Sequence, residues 1–387
     1  MIKKITFALA TTLIACSSYV HADTDAEIMA LKQRVKSLEQ RKEGNNRVTP
    51  PARPDVKDGA DLFFTADALL WRAAEDGLEF AEETFQDTNH DLDDGRVLNP
   101  DFKWKWGFRV GVGYNMPHDG WDLYLNWVRF TSRDHRENRV NPPVAIDMGL
   151  GDPAPGPGVT TMFANVGSNS ANGPITNIQK AKTRWNLKLN LLDLELGREF
   201  FVSKWLTLRP FTGLRSGWID QKFNNRYALL LPTGADSTVF DIEQRCRFWG
   251  LGIRAGMNTL WSLGCGWGIY ANAAISLLPG RFHVRYDQDS TQLPPAVSVA
   301  IETDHDTKDH LSVARAITDL ALGLRWDKLT CDEAYHIAFR IGFEQHHFFG
   351  QNQFRNYEYD TNSRPVSRAT IGDLSTYGVT GGFEFGF

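Results

Sequence analysis

Four stretches of this sequence place residue types where chemistry could use them. Gly250-Leu251-Gly252-Ile253-Arg254-Ala255 matches the string of a dinucleotide-binding fingerprint. That fingerprint works only when a strand leads into it, a helix N-terminus follows, and an acid about twenty residues on binds the ribose. Here the flanking residues continue a strand pattern, and no Asp or Glu occurs from Met257 to Tyr286. The glycines are better read as inward-facing strand positions. Asp87-Thr88-Asn89-His90-Asp91-Leu92-Asp93-Asp94-Gly95 has oxygen ligands at alternate positions, as calcium loops do, but Leu92 stands where the sharp turn needs glycine. It reads as a solvated acidic loop, as does Glu302-Thr303-Asp304-His305-Asp306, and no metal is expected. His336, Glu344, His346 and His347 lie on or near one strand, without a nucleophile-elbow motif to pair with them. No enzyme and no cofactor is expected.

A larger charged set becomes visible only through the elements that carry it. From Phe102 to Tyr114 the chain alternates strictly. Phe102, Trp104, Trp106, Phe108, Val110, Val112 and Tyr114 share one face, and Lys103, Lys105, Gly107, Arg109, Gly111 and Gly113 share the other. Strand side chains alternate with period two, so one face is apolar and the other charged or small. After the turn at Asn115–Gly120 the pattern resumes, with Trp121, Leu123, Leu125 and Trp127 against Asp122, Tyr124 and Asn126. Tryptophans near the ends of apolar runs suit lipid outside and water inside.

Ten such strands are predicted, near 61–73, 102–114, 121–132, 183–199, 205–219, 244–258, 267–285, 310–326, 334–348 and 372–387. A further hairpin around Tyr227–Leu231 would make twelve. Short turns near 115–120, 200–204, 259–266 and 327–333 alternate with long polar loops at 74–101, 133–182, 220–243, 286–309 and 349–371. That alternation is how outer-membrane barrels are built, with the short turns in the periplasm. The expected fold is all-β, an antiparallel transmembrane β-barrel with both ends of the chain in the periplasm. One strand breaks phase, since Trp185, Leu187, Leu189 and Leu191 give way to Leu192, Leu194 and Leu196. A bulge near Leu191-Leu192 would restore the facing. Tyr377, Val379, Gly381, Phe383, Phe385 and Phe387 alternate to a terminal phenylalanine, the form of an assembly signal for the outer-membrane machinery. Left unpaired, such a strand would be an aggregating edge, which closure removes.

By alternation, Lys103, Lys105, Arg109, Arg209, Arg215, Arg254, Arg325 and Arg340 point inward with Asp67, Asp122, Glu195, Asp319 and Glu344. Rings of charge inside a pore set ion selectivity. The set leans positive, which predicts weak anion preference. The opposing reading is that these groups pair off and plug a narrow barrel. The loop at 133–182, with Pro155-Gly156-Pro157-Gly158, could cap or constrict the pore.

The N-terminus frames this domain. Lys3-Lys4, an apolar run from Ile5 to Ala15 and Val20-His21-Ala22 form a signal peptide over 1–22, too short to span a bilayer. Leu13-Ile14-Ala15-Cys16 is a competing lipobox that would lipidate Cys16. Net charge is −5, and removing a segment with two lysines and no acid leaves −7, which gives no case for nucleic acid. Mean hydropathy is −0.36 and no later run of eighteen apolar residues exists, which excludes an α-helical membrane protein but not a barrel. Residues 23–41 are expected to form a short periplasmic coiled-coil helix. Ile28, Leu31, Val35 and Leu38 make its seam, and Thr24 and Glu27 its capping box. Two heptads are marginal alone, so a homo-oligomeric partner is expected. A Pro-containing linker over 42–60 leads to the barrel, 61–387. Cys265 and Cys331 fall in turns that neighbour each other on the periplasmic rim and are a candidate disulfide, leaving Cys246.

Trp185-Asn186-Leu187-Lys188-Leu189-Asn190, Leu192-Asp193-Leu194-Glu195-Leu196-Gly197-Arg198-Glu199-Phe200, Leu208-Arg209-Pro210-Phe211-Thr212-Gly213-Leu214-Arg215 and Trp218-Ile219-Asp220-Gln221 resemble a known family. It is the Legionella-type major outer-membrane proteins, pore-forming and MOMP-like, of chlamydia-related bacteria. Gly113-Tyr114-Asn115, Asp119-Gly120-Trp121, Trp249-Gly250-Leu251-Gly252 and Ser276-Leu277-Leu278 extend the likeness over about Asp61 to Phe387. Pro279 departs from the aromatic expected before Gly280-Arg281-Phe282 and puts that strand end in question. The resemblance implies a β-barrel porin in the outer membrane, often oligomeric and sometimes disulfide-linked, with no catalytic residues. The alternative is a structural or adhesive envelope barrel with little conductance.

Overall fold

The computed structural model describes residues 31–33, 52, 56, 59–86, 92–117, 119–139, 156–161, 180–230, 236–292, 301–330, 333–359 and 365–387. Ten long strands form the wall: β1 (Leu62–Glu75), β2 (Trp104–Asn115), β3 (Trp121–Arg139), β4 (Lys180–Arg198), β5 (Leu206–Leu230), β6 (Asp236–Gly264), β7 (Trp267–Gln292), β8 (Ile301–Thr330), β9 (Tyr335–Asn352) and β10 (Gly372–Gly386). Each is antiparallel to its predecessor, and β10 pairs with β1 to close the ring. The seam runs from Phe63↔Gly386 to Glu75↔Leu374. At its foot Phe387 N donates to Leu62 O at 3.0 Å, and Leu62 N returns the bond to Phe387 O at 3.1 Å.

The terminal aromatics behave as expected of a closed edge. Val379 and Phe383 are exposed on the outer face, and Phe387 stacks on Phe64 at 6.0 Å and meets Phe385 at a tilt, 5.9 Å between centroids. Short strands lie off the wall. Phe200–Phe201 flanks β5, Ala81–Gln86, Leu92–Leu98 and Gly156–Thr161 form a small sheet, and Arg355–Tyr359 pairs with Pro365–Ala369.

The four short turns join strands where the alternation placed them. The tightest has Cys265 (φ 53°) and Gly266 (φ 79°) between the paired residues Gly264 and Trp267. Positive φ at both central residues is the type I′ geometry that matches strand twist.

The wall departs from expectation at the other end. Residues expected as loops at 220–243 and 286–309 are largely strand, because β5, β6, β7 and β8 run far past the predicted limits. The Tyr227 region extends β5 rather than adding a hairpin, so the ring stays at ten. The sequence misled because polarity there sits on the outer face (Asp220, Lys222, Arg226) while Ile219, Phe223 and Tyr227 are buried inward. Pro279 likewise continues β7, opposite Ala314, with its ring on the outer face.

The expected bulge at Leu191-Leu192 is absent. β4 keeps unbroken register with both neighbours across that point. Trp185, Leu187, Leu189 and Leu191 are buried inside the barrel, and Leu192, Leu194 and Leu196 are exposed outside it. The pleat never slips; the apolar set changes face. β6 does the same, from buried Cys246 and Phe248 inside to exposed Trp249, Leu251 and Ile253 outside. The barrel therefore has two levels. Near the short turns it is apolar outside and polar inside, and near the long connections it is polar outside and apolar inside. On β2 the outward apolar set runs from Trp104 to Tyr114, about 33 Å of strand and, at the usual tilt, about 25 Å of height. That suits the hydrocarbon layer of an outer membrane. No described helix is long and apolar enough to cross a membrane.

Of the expected N-terminal helix, 31–33 are helical and Leu31 is exposed. Ile28, Val35, Leu38, the signal peptide with Cys16, and Cys331 lie outside the described residues. So do the side chains of 87–95 and of 302–304.

Candidate functional site

The wall directs its ionised side chains into the lumen at the level of the lipid-facing belt, where they form one connected system. Asp122 on β3 accepts from Arg209 on β5, with contacts from 2.5 to 3.1 Å, and Arg209 also reaches Glu195 on β4 at 3.2 Å. Glu195 accepts from Arg254 on β6 at 3.2 Å, and Arg254 crosses behind β7 to pair with Asp319 on β8. Arg215 holds Asp193 by two parallel bonds, 2.6 and 2.7 Å, and Asp319 at 2.8 Å. His346 on β9 links Asp319 (2.6 Å) to Glu344 (3.5 Å). Arg109 on β2 then joins Glu344 (2.6 Å) to Asp67 on β1 (3.0 Å), and Arg340 joins Asp67 (2.8 Å) to the side of Glu384 on β10. Arg325 closes the series between Glu384 (3.1 Å) and Asp327 (2.8 Å), where His336 also binds Asp327 at 3.1 Å.

Forked guanidinium–carboxylate pairs fix both distance and plane. Arg215–Asp193 and Arg109–Asp67 join directly paired residues. Arg209–Asp122, Arg109–Glu344 and Arg215–Asp319 join strands that are not wall neighbours, so the network also ties the wall together through the lumen. Glycines make the room. A Cβ on Gly197 would stand 2.6 Å from the Arg209 Cζ, and one on Gly382 would stand 2.7 Å from the Arg340 Nε. A cavity of about 130 Å³ remains in the middle, lined by Arg109, Arg215, Arg254, Tyr270, Glu344 and His346 among others, with room for several waters.

Above this level the lumen fills with apolar side chains. Leu69, Trp71, Phe130, Trp185, Phe223 and Phe282 are all fully or almost fully buried. Phe354, beyond the end of β9, stacks on Phe223 at 5.7 Å, and the Tyr227 hydroxyl donates to the Phe80 carbonyl at 2.5 Å. A carboxyl group is set into this upper core. Glu75 lies beyond the lipid-facing belt of β1, which ends at Leu70, and accepts from Gln221 Nε2 at 2.7 Å. Burial pushes its pKa from 4.5 up to about 8.

The sign of the resulting pH dependence follows from that rise. Between pH 4.5 and 8 the unfolded chain releases the Glu75 proton and the folded one keeps it, so stability falls as pH climbs through that window. Glu75→Gln is expected to raise the heat-unfolding midpoint at pH 8 by several degrees more than at pH 4. Gel mobility shift at the two pH values measures it, and an equal effect at both would remove Glu75 as the cause.

Of the pore-lining residues read from alternation, Arg109, Asp122, Arg209, Arg215, Arg254, Asp319, Arg325, Arg340 and Glu344 all join the network, as do Asp67 and Glu195. Lys105 faces inward but higher, with its Nζ 4.0 Å from Asp134. Lys103 does not line the lumen. It precedes β2 and is exposed, and only its backbone N–H engages Asp134, at 3.1 Å. The alternation was carried one step past the strand end.

The sequence reading missed Asp193, which the supposed bulge hid, although counting back by two from Glu195 finds it. It missed Asp327, assigned to a turn that β8 overruns, and Glu384, overshadowed by the phenylalanines around it. It also left His336 and His346 without the partners the fold supplies. Cys246 is buried in the upper core and Cys265 is exposed at its turn. The candidate disulfide lies partly outside the described residues. Among the described residues no cluster of His, Cys, Asp and Glu has the form of a metal site.

Among curated proteins nothing matches this chain. Solved structures that it resembles include the outer membrane protease OmpT from Escherichia coli (10% identity, TM-score 0.35, covering 88% of this chain and 100% of that one). Others are the Pseudomonas putida toluene transporter TodX (8%, 0.25, 86% and 91%) and a Pseudomonas aeruginosa FadL homologue (6%, 0.25, 85% and 90%). Likenesses this distant bear on neither substrate nor activity. The family described as Legionella pneumophila major outer membrane protein precursor matches residues 53–387, the whole barrel and the residues leading into it. This outer-membrane β-barrel chain belongs to that family.

Proposed function

We propose that the protein is an outer-membrane channel for ions and small hydrophilic solutes that rests closed, with the lumen network as its gate. The observation that carries this reading is that the membrane-level obstruction consists of wall side chains, from Asp122 round to Glu384. Side chains can rearrange without moving the backbone. The anion preference expected from sequence rested on a lumen leaning positive. With Asp134, Asp193, Asp327 and Glu384 added, carboxylates outnumber the cationic groups, so open channels are expected to favour cations weakly.

The test is single-channel recording from the refolded chain, Asp23 to Phe387, in a planar bilayer under a salt gradient. Discrete steps reversing on the cation side support the reading. A folded, heat-modifiable barrel that never conducts would turn it to a structural or adhesive envelope barrel. The tight apolar filling of the upper lumen by Trp185, Phe223 and Phe282 favours that second reading. In either case a cleaved signal peptide over 1–22, periplasmic short turns, and subunits joined through the Ile28, Leu31, Val35 and Leu38 seam fit the chain.

A further inference from the structure

The outer face of β6, β7 and β8 carries a basic cluster just above the lipid-facing belt. Arg247 stands opposite His283, which stands opposite His310, and Arg281 is one outward position nearer the belt, opposite Trp249. All four polar side chains are exposed, and the two histidine rings meet edge to face at 4.6 Å. Higher on the same face the charges cancel, since Arg245 holds Asp220 at 2.7 Å, Arg285 holds Asp287 at 2.8 Å and Lys308 holds Asp306 at 3.3 Å. Arg247 and Arg281 differ. Among the described residues neither has an ion-pair or hydrogen-bond partner. The face above Arg281 is a depression of about 390 Å³.

Position gives the cluster its meaning. On the membrane side the next outward residues are Trp249 and Leu251 on β6 and Pro279 and Leu277 on β7, all exposed to lipid. Tryptophan marks the headgroup level of a bilayer. Two free guanidiniums at that level, over an apolar shelf, match a molecule with phosphate at its head and acyl chains below it, because the guanidinium fork fits phosphate oxygens in pairs. At the same height the outward residues Ser312, Gln345 and Ser375 carry no charge, and Asp220 on β5, opposite Arg247, is held by Arg245. Arg129 on β3 and Lys188 on β4 are further exposed basic residues at the belt's edge, but among the described residues only the β6–β8 cluster sets two arginines beside two histidines.

We propose that Arg247, Arg281, His283 and His310 form a binding site for the phosphate groups of a phosphorylated glycolipid of the outer leaflet, whose acyl chains lie along Trp249, Leu251 and Leu277. The site rests on the barrel's orientation in the outer membrane and is independent of conduction.

The experiment is native mass spectrometry of the refolded barrel in zwitterionic detergent, titrated with bisphosphorylated lipid A, its dephosphorylated form, and inorganic phosphate. The variants are Arg247→Ala/Arg281→Ala and, on another part of the wall above the belt, Arg133→Ala/Arg184→Ala. All four residues are exposed, and retained heat-modifiable mobility confirms folding. The first pair is expected to lose at least ten-fold in affinity for the bisphosphorylated lipid and the second less than two-fold, with the dephosphorylated lipid weak throughout. Equal affinity in the first pair, or equal losses in both, would overturn the site. Displacement of the lipid by inorganic phosphate at comparable concentration would identify a free-ion site and overturn the lipid as occupant.

Discussion

Asp319→Ala is expected to destabilise the folded barrel by about 3–5 kcal/mol, the usual cost of stripping one partner from a buried ion pair. Asp319 is the point where three lines of the network meet: Arg215, Arg254 and His346 all bind its two oxygens. Arg215 is almost fully buried and keeps Asp193, but Arg254 is left with Glu195 and a distant Asp193, and His346 with Glu344. Removing the carboxylate thus takes a shared counter-charge from Arg215, Arg254 and His346 at once, in a bore with little water to replace it. Urea unfolding in detergent or lipid measures the cost. Asp319→Asn keeps the shape and two lone pairs and should lose less. If the network is also the gate, Asp319→Ala frees Arg254 and Arg215 from β8, and single-channel steps should be larger or longer than those of the parent. Unchanged stability would mean that the cross-bore pairs are solvated and brace nothing.

The second large effect concerns the seam. Deleting residues 377–387 is expected to abolish recovery of heat-modifiable barrel, both in refolding and in membranes. The deletion removes the pairs from Phe63↔Gly386 to Arg72↔Tyr377 on one side, and on the other those from His336↔Gly386 to Gln345↔Tyr377. Two strands, β1 and β9, would then present unpaired backbone to lipid, where each unsatisfied group costs several kcal/mol. It also removes Glu384, leaving Arg325 with Asp327 alone. A milder variant, Phe387→Ala, keeps the backbone bonds to Leu62 and loses the ring contacts with Phe64 and Phe385. It should slow assembly while leaving the finished barrel folded. Folding of the eleven-residue deletion at parental yield would show that closure does not depend on this strand.

How much of this was legible beforehand follows from one physical fact. Where lipid lies outside, hydrophobicity and outward facing coincide, so β2, β9 and β10 could be read residue by residue, and with them the count, the short turns and most inward charges. Above the lipid the correlation reverses. Asp220, Lys222 and Arg226 on an outward face look like loop to any reading that equates polarity with irregular backbone, yet they are strand. The same reversal made Leu191-Leu192 look like a slip of register and hid Asp193. Which acid meets which arginine was beyond the sequence, because Arg254–Asp319 and Arg109–Glu344 join residues far apart in the chain on strands that do not pair.

With the short turns in the periplasm, as proposed, the upper level of the wall has a consequence for what another cell, an antibody or a phage would meet. Much of the surface that rises above the bilayer is the flat side of a rigid sheet, with alternate residues of β5, β6, β7 and β8 standing side by side, as Lys222, Arg245, Arg285 and Lys308 do. A recognition element drawn on such a surface takes every second residue from several strands. It is conformational by construction: a linear peptide copied from any one strand would present half its side chains to the wrong side, and reagents raised against peptides should miss what reagents raised against the folded barrel find.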